Sequence, residues 1–369
     1  MNGTPHTLVQ VPAGVQCFVG DEARRRRAIE SRVLSVFEGW DYEEIIPPLF
    51  DYADVFAGGA LASKTYSFLG RDGSLLALRP DFTSLLAKIA AGPLLHRAAP
   101  MRLYYSGEVL RYEPPQAGRQ SELHQMGLER LGGAGRAADA EVLAIAAECL
   151  EALGARGCVL ALGHVGVFGG LAAAAGLAAH DVETLRERVS RRDPEGVAEV
   201  LRRHRIGGGI AEGLVGLTTL GAGPEALEEA AERFASCPPA ARAVAEVAEV
   251  VSALVAAGLG PRLALDLGEV RGLDYYTGLV FRVYAPDLGF EVGAGGRYDA
   301  LLARFGRPMP AVGFMLGLDR LERLLEGQGS LAAPAPPAAE VVSDASLGTA
   351  LSRARERRAQ GARVRLGGP

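Results

Sequence analysis

The chain has 369 residues, of which 49% are hydrophobic and 22% charged, with a formal net charge of −5. That composition describes an ordinary globular protein with room for one large core plus a smaller unit. The acid surplus argues against a dedicated nucleic-acid binder, and because lysine occurs only at Lys64 and Lys88, a single arginine carries less functional weight than usual.

"MNGTPHTLVQVPAG" has no apolar signal core, and the longest small-apolar run, "FGGLAAAAGLAA" at 168–179, is too short and glycine-rich to span a bilayer. The expected location is the cytoplasm, without membrane contact. Residues 21–38 predict a helix capped by Asp21, with Ile29, Val33, Val36 and Phe37 on one face. "YEEIIPPLFDY" follows as an edge or bent strand, since Pro47 and Pro48 cannot serve a central one. "TYSFLG", "RDG" and "LLALRPDFT" give strand, turn and strand. A helix over about 84–91 comes next. "LRYEPPQAGRQSELHQMGLERLGG", residues 110–133, reads as two strands joined by a polar loop, and 139–153 as a helix.

Residues 165–260 are alanine-rich and mostly helical, with breaks at "RDPEG" and "RIGGGI". Their arginines, from Arg186 to Arg205, fit solvated helix faces. The strand pattern returns with "RLALDLG", "GLVFRVY" and "GFEVGAG". "RYDALLARFG" predicts a helix carrying Tyr298, Leu301, Leu302 and Phe305. "AVGFMLG" then runs as a strand into the helix "LDRLERLL". Residues 327–339 have the composition of a linker, and 340–369 have room for a strand, a helix and a further strand. Hairpins dominate and βαβ units are lacking, so the fold class is α+β. The expected organisation is a domain over 1–326 with a helical insertion at about 165–260, a linker, and a small C-terminal segment.

Cys17, Cys149, Cys158 and Cys237 are scattered and form no CxxC pair, which predicts reduced thiols. No metal-ligand spacing, GxSxG or P-loop occurs, and no cofactor is expected. Strand alternation puts Gln125, Gly127 and Glu129 on one face, and His124, Met126, Leu128 and Arg130 on the other. A carboxylate and an amide around a glycine gap suit a ligand ammonium group; a cross-strand polar cluster with a packing glycine fits the same spacing. Arg111 and Arg119 flank the adjoining loop and suit a phosphate or carboxylate, or simply the surface. In "VRGLDYYTG" an extended chain would turn at most one of Tyr275 and Tyr276 into a given pocket. The glycines of "GAGGRYDALL" either present amides to an anion or allow close backbone packing.

Taken in order, these pieces resemble the catalytic domain of histidyl-tRNA synthetase, a class II aminoacyl-tRNA synthetase, over about residues 12–325. "EEIIPP" is similar to motif 1, "VLRYEPPQAGRQSELHQMGLE" to motif 2 and "GFMLGLDRL" to motif 3. "LRPDFT", "RGLDYYTGLVF" and "AGGRYDALL" are similar to the family's amino-acid-site segments. The resemblance implies a six-stranded antiparallel sheet, a homodimer formed through the motif-1 region, and a histidine pocket using Asp81, Thr83, Gln125, Glu129, Arg271, Tyr275, Tyr276 and Tyr298. Gln125 and Glu129 would take the ammonium and Arg271 the carboxylate. Arg111, Arg119 and Arg320 match arginines that hold ATP phosphates in the synthetase.

The chain also departs from the synthetase pattern. Asp81 and Phe82 stand where the synthetase has Glu-Gly, Pro114 and Ser121 where it usually carries arginines, and Arg282 where it typically has glutamate. Loss of cations weakens a triphosphate site. The segment at 340–369 is far smaller than an anticodon-binding domain, so no tRNA is expected as a partner. This combination resembles the branch of the family whose members are regulatory subunits of ATP phosphoribosyltransferase, the first enzyme of histidine biosynthesis. It implies a non-catalytic chain that binds the short form of the catalytic subunit in a hetero-oligomer, activates it, and conveys feedback inhibition by histidine. A residual histidine-activating enzyme is the alternative reading.

Overall fold

The structure is a computed structural model describing residues 11–58, 61–112, 120–223, 226–270, 275–285, 289–330 and 338–367. Helix α1 (Gly20–Gly39) opens the fold, burying Ile29, Val33 and Phe37 as their spacing predicts. Asp21 is not its cap. The N-cap is Val19, and Asp21 lies in the first turn, where it pairs with Arg24. A carboxylate there is favoured by the helix dipole without capping anything.

Two short strands follow, β1 (Glu43–Glu44) and β2 (Phe50–Tyr52), divided at Pro47 and Pro48. β3 (Ser67–Leu69) and β4 (Leu75–Leu78) form the expected strand–turn–strand and join β2 in a small sheet of order β2-β4-β3. Helix α2 (Thr83–Ala91) leads to the long strands β5 (Met101–Leu110) and β6 (Glu122–Leu131), and then to α3 (Arg136–Ala152). Strand β7 (Val159–His164) precedes six helices: α4 (Val165–Ala175), α5 (Ala179–Ser190), α6 (Pro194–Arg203), α7 (Gly208–Gly216), α8 (Ala226–Arg233) and α9 (Pro238–Ala256). β8 (Leu263–Leu265), β9 (Leu279–Ala285), β10 (Phe290–Arg297) and β11 (Ala311–Gly317) complete the main sheet, and α10 (Leu318–Gly327) follows directly. The last elements are β12 (Glu340–Val342), α11 (Leu347–Ala359) and β13 (Val364–Leu366). The stretch read as a linker includes 331–337, which lie outside the described residues.

The main sheet has the order β1-β5-β6-β11-β10-β9-β7-β8. Its six inner strands are antiparallel throughout, as expected. Two short strands extend it in parallel, β1 beside β5 and β8 beside β7. One face, carrying Tyr104, Met126 and Leu128, packs on α1, α3 and α10 in the large core, which continues into the helical insertion. The other, carrying Leu103, Tyr105 and Val109, packs on α2.

The predicted helix at 297–306 is only a single 3-10 turn, Leu302–Phe305. Arg297 is still paired to Val312 in the sheet, and the Tyr298 amide donates to the Ala311 carbonyl at 2.8 Å, so a helix cannot begin there. Gly306 then turns left-handed at φ 84° and ends the turn. Tyr298, Leu301 and Leu302 are buried all the same. Gly293, Gly295 and Gly296 lie inside β10, paired between β9 and β11 rather than opening a helix, so close backbone packing is the reading that holds. None of the four cysteines is in a disulfide, and three are buried. Among the described residues no helix is long and apolar enough to cross a membrane.

Candidate functional site

A cavity of about 470 Å³ opens on the α2 face of the sheet. Strand parity delivers its floor. Gln125 and Glu129 of β6 both line it and are both buried, whereas Met126 and Leu128 turn into the opposite core. Glycines let the floor lie deep. A side chain at Gly127 would collide with the Tyr105 hydroxyl and the Phe314 carbonyl, and one at Gly313 with the Glu129 carboxylate.

Glu129 is the most enclosed charged group of the site, at 2% exposure. The Thr83 hydroxyl donates to its Oε1 at 2.7 Å, and the Tyr298 hydroxyl donates to its Oε2. Burial outweighs these donors and pushes its pKa up to about 7. Asp81 sits on the rim, its Oδ1 accepting from the Ser84 amide at 2.7 Å, and so ties down the first turn of α2. Burial also raises Tyr105 and Tyr298 well above the usual phenol range, and Tyr276 to about 12, so these phenols are neutral hydroxyls at physiological pH. The site thus combines carboxylates, an amide and hydroxyls with a ring-lined interior, a set suited to a small polar ligand carrying positive charge.

Asp81, Thr83, Gln125, Glu129, Tyr275, Tyr276, Tyr298 and Arg111 therefore converge on one cavity. Both tyrosines of the Tyr275–Tyr276 pair line it, their ring centroids 4.3 Å apart, contrary to the strand-alternation expectation. β9 begins only at Leu279, so that stretch has no strand periodicity to obey. Arg111 is anchored by its Nε, which donates to the Pro80 carbonyl at 2.8 Å. Arg271 and Arg119 lie outside the described residues. Arg320 does not line the cavity; its Nη1 donates to the Glu291 carbonyl at 2.7 Å and pairs with that residue's carboxylate.

Among the lining residues not foreseen as site members are Tyr105, Arg282, Glu291 and Arg304. Tyr105 shares the parity of Leu103 and Val109 and could have been placed by alternation; Arg282 and Glu291 depend on the pairing of β9 with β10, and Arg304 lies in the 3-10 turn. Phe82 does not obstruct the cavity. Its ring is not part of the lining but is buried, stacked on Tyr105 at 4.1 Å, with the Arg79 guanidinium carbon 4.2 Å from the ring centroid.

The reverse face of β6 carries a second polar group. His124 Nε2 lies 2.8 Å from Ser106 Oγ, which donates to Glu30 Oε1 at 2.6 Å, and His124 Nδ1 lies 3.3 Å from Glu108 Oε1. Burial opposes charge on the ring, but the two carboxylates outweigh it and raise the His124 pKa. The hydrogen bond from His124 leads in lowering Glu30 and Glu108, each to about 2.

The six-strand antiparallel sheet with this pocket on one face defines a class II aminoacyl-tRNA synthetase-like protein. The histidyl-tRNA synthetase family model matches residues 14–321. The chain is 41% identical to an ATP phosphoribosyltransferase regulatory subunit from Moorella thermoacetica, covering 98% of this chain and 92% of that one, and 39% identical to another from Desulforamulus reducens, covering 95% and 88%. It also superimposes on a crystal structure from Bacillus halodurans described as an ATP phosphoribosyltransferase regulatory subunit/histidyl-tRNA synthetase, with TM-score 0.85, 29% identity and coverage of 97% and 92%. The chain belongs to the histidyl-tRNA synthetase family, in its branch of ATP phosphoribosyltransferase regulatory subunits.

Proposed function

We propose that the chain is a non-catalytic regulatory subunit of ATP phosphoribosyltransferase, which activates a short catalytic subunit and senses histidine in the cavity on β6. The observation carrying this reading is the gathering of Asp81, Thr83, Gln125, Glu129, Tyr275, Tyr276 and Tyr298 around one volume. Gln125 and Glu129 receive the ligand ammonium, and Arg271, outside the described residues, receives its carboxylate. Arg111, Arg119 and Arg320 are the remnant of an anion site.

Histidine acts by binding more tightly to the less active arrangement of the hetero-oligomer. A tenfold feedback effect requires a coupling free energy of only ~1.4 kcal/mol. A homodimer through the motif-1 region completes the assembly. The exposed apolar side chains of Ile46, Leu49, Phe50, Tyr52 and Leu69 support it, since they make an apolar surface beside β1, β2 and β3.

Co-purification with a short ATP phosphoribosyltransferase, followed by activity measurements with and without histidine, tests the reading. Activation by the chain and inhibition by histidine that Glu129→Gln abolishes are expected. Inhibition unchanged in that variant sinks the sensor site. Histidine-dependent exchange of pyrophosphate into ATP by the isolated chain would favour a residual histidine-activating enzyme instead.

A further inference from the structure

We propose that Glu291 serves as an internal anion, occupying the guanidinium groups of Arg282, which lines the cavity, and of Arg320, which does not, and thereby closing that end of the cavity to phosphate-bearing ligands. This rests on the amino-acid reading of the site and deepens it: the pocket takes a free amino acid because its own carboxylate already fills the place a ligand's phosphate would seek.

Arg282 on β9 and Glu291 on β10 both line the cavity. Glu291 is paired with Tyr284, and Arg282, two residues along β9 on the same face, reaches Glu291 diagonally. Its Nη1 contacts Glu291 Oε2, while its Nε donates to Glu269 Oε2 at 2.8 Å. Arg320 arrives from α10, with Nη1 3.4 Å from Glu291 Oε1 and 2.7 Å from the Glu291 carbonyl. Two guanidinium groups from different elements thus converge on one carboxylate, and the buried Glu269 balances the second side of Arg282.

Guanidinium forks bind carboxylate and phosphate by the same geometry. With Glu291 in place, an arriving phosphate meets a negative charge instead of paired cations. It must displace that carboxylate from both partners before gaining either. Specificity by a built-in repulsive group needs no loss of the arginines themselves.

The test is calorimetric titration of the full chain with inorganic pyrophosphate, comparing wild type, Glu291→Gln, Glu291→Ala and Glu291→Asp. Thermal unfolding checks each fold. Glu291→Gln and Glu291→Ala are expected to bind pyrophosphate at least about tenfold more tightly than wild type, the worth of one charge-assisted hydrogen bond. Glu291→Asp keeps the charge and is expected to exclude it. Adding Arg282→Gln to Glu291→Gln is expected to abolish the gain. Equal pyrophosphate affinity in wild type and the neutral variants overturns the proposal, as does a gain that survives loss of Arg282. Histidine titrated into the same wild-type sample addresses the amino-acid reading separately. Failure of histidine to bind sinks that reading, whereas exclusion of anions by Glu291 stands or falls on pyrophosphate alone.

Discussion

Glu129 of β6 and Gly313 of β11 are directly opposed across the sheet, and the carboxylate of one occupies the space a side chain on the other would need. The pocket's most enclosed charge is therefore positioned by an absent side chain on the neighbouring strand. Gly313→Ala would press on Glu129 and also on the Leu128 carbonyl, which cannot yield without moving the strand. Overpacking of this kind costs about 1–3 kcal/mol of stability. The expected outcome is a lowered melting temperature together with at least about tenfold weaker histidine binding, equivalent to ~1.4 kcal/mol. Calorimetric titration and thermal unfolding of the variant check both.

Glu129 also predicts a pH dependence. Its carboxyl titrates near 7 in the folded protein and 4.5 is its ordinary value. The folded chain therefore holds a proton that the unfolded chain has released between those values. The stabilisation this gives is complete below pH 4.5, declines as pH rises, and is gone above about 7, amounting to roughly 3 kcal/mol at most. Glu129→Gln removes the slope. Denaturant unfolding of both proteins at pH 5, 6, 7 and 8 should show the wild type losing stability relative to the variant across that range. A constant difference would contradict it.

A cationic ligand beside Glu129 favours its ionised form, so binding releases a proton. Histidine affinity is expected to strengthen between pH 6 and 8, with a proton released to the buffer near neutrality. Titrations in buffers of different ionisation enthalpy measure that proton, and comparison with Glu129→Gln separates it from protons of the ligand itself.

On the reverse face, His124 is held between Glu30 and Glu108 with a raised pKa. The stability from this charge is fully present below the unfolded value of 6.5 and is lost as pH rises through the folded value. His124→Gln should destabilise the protein by about 1–3 kcal/mol at pH 6 and by less at pH 9. Urea unfolding at the two pH values decides it; an equal loss at both would show that packing, not charge, is what His124 supplies.

The proposed homodimer is tested at the motif-1 surface. Ile46 is 84% and Leu69 75% exposed in the single chain. A glutamate at Ile46 would have to be desolvated in a dimer interface but stays in water in a monomer. Sedimentation equilibrium should show Ile46→Glu shifted toward monomer by at least about tenfold in dissociation constant, or ~1.4 kcal/mol.

The pocket floor was legible because alternation along β6 is rigid: once residues 122–131 form a strand, Gln125 and Glu129 must share a face. Periodicity likewise placed Ile29, Val33 and Phe37 in the core. It failed at 297–305, where apolar spacing suits a helix but sheet pairing extends to Arg297 and the chain has room for one turn only. β1 and β8 are two and three residues long, too short to carry a pattern. The Arg282–Glu291 contact was invisible because it depends on the pairing of β9 with β10, which sets Tyr284 opposite Glu291 and Arg282 on the diagonal. The neighbours of His124 were invisible for another reason: Glu30 comes from a helix far away in the chain.

Phe82 has consequences for how such a chain could change again. At 1% exposure, clamped between Tyr105 and Arg79, the ring has become a foundation stone rather than an ornament. Exchanging it for glycine would empty a site in the core at a cost of about 3–5 kcal/mol, a large share of what holds a domain folded. A glycine at this position would be tolerated only together with changes in the rings packed around it. The ring thus ties the composition of this position to the packing of Tyr105 and Arg79 around it, so neither can be altered without regard to the other.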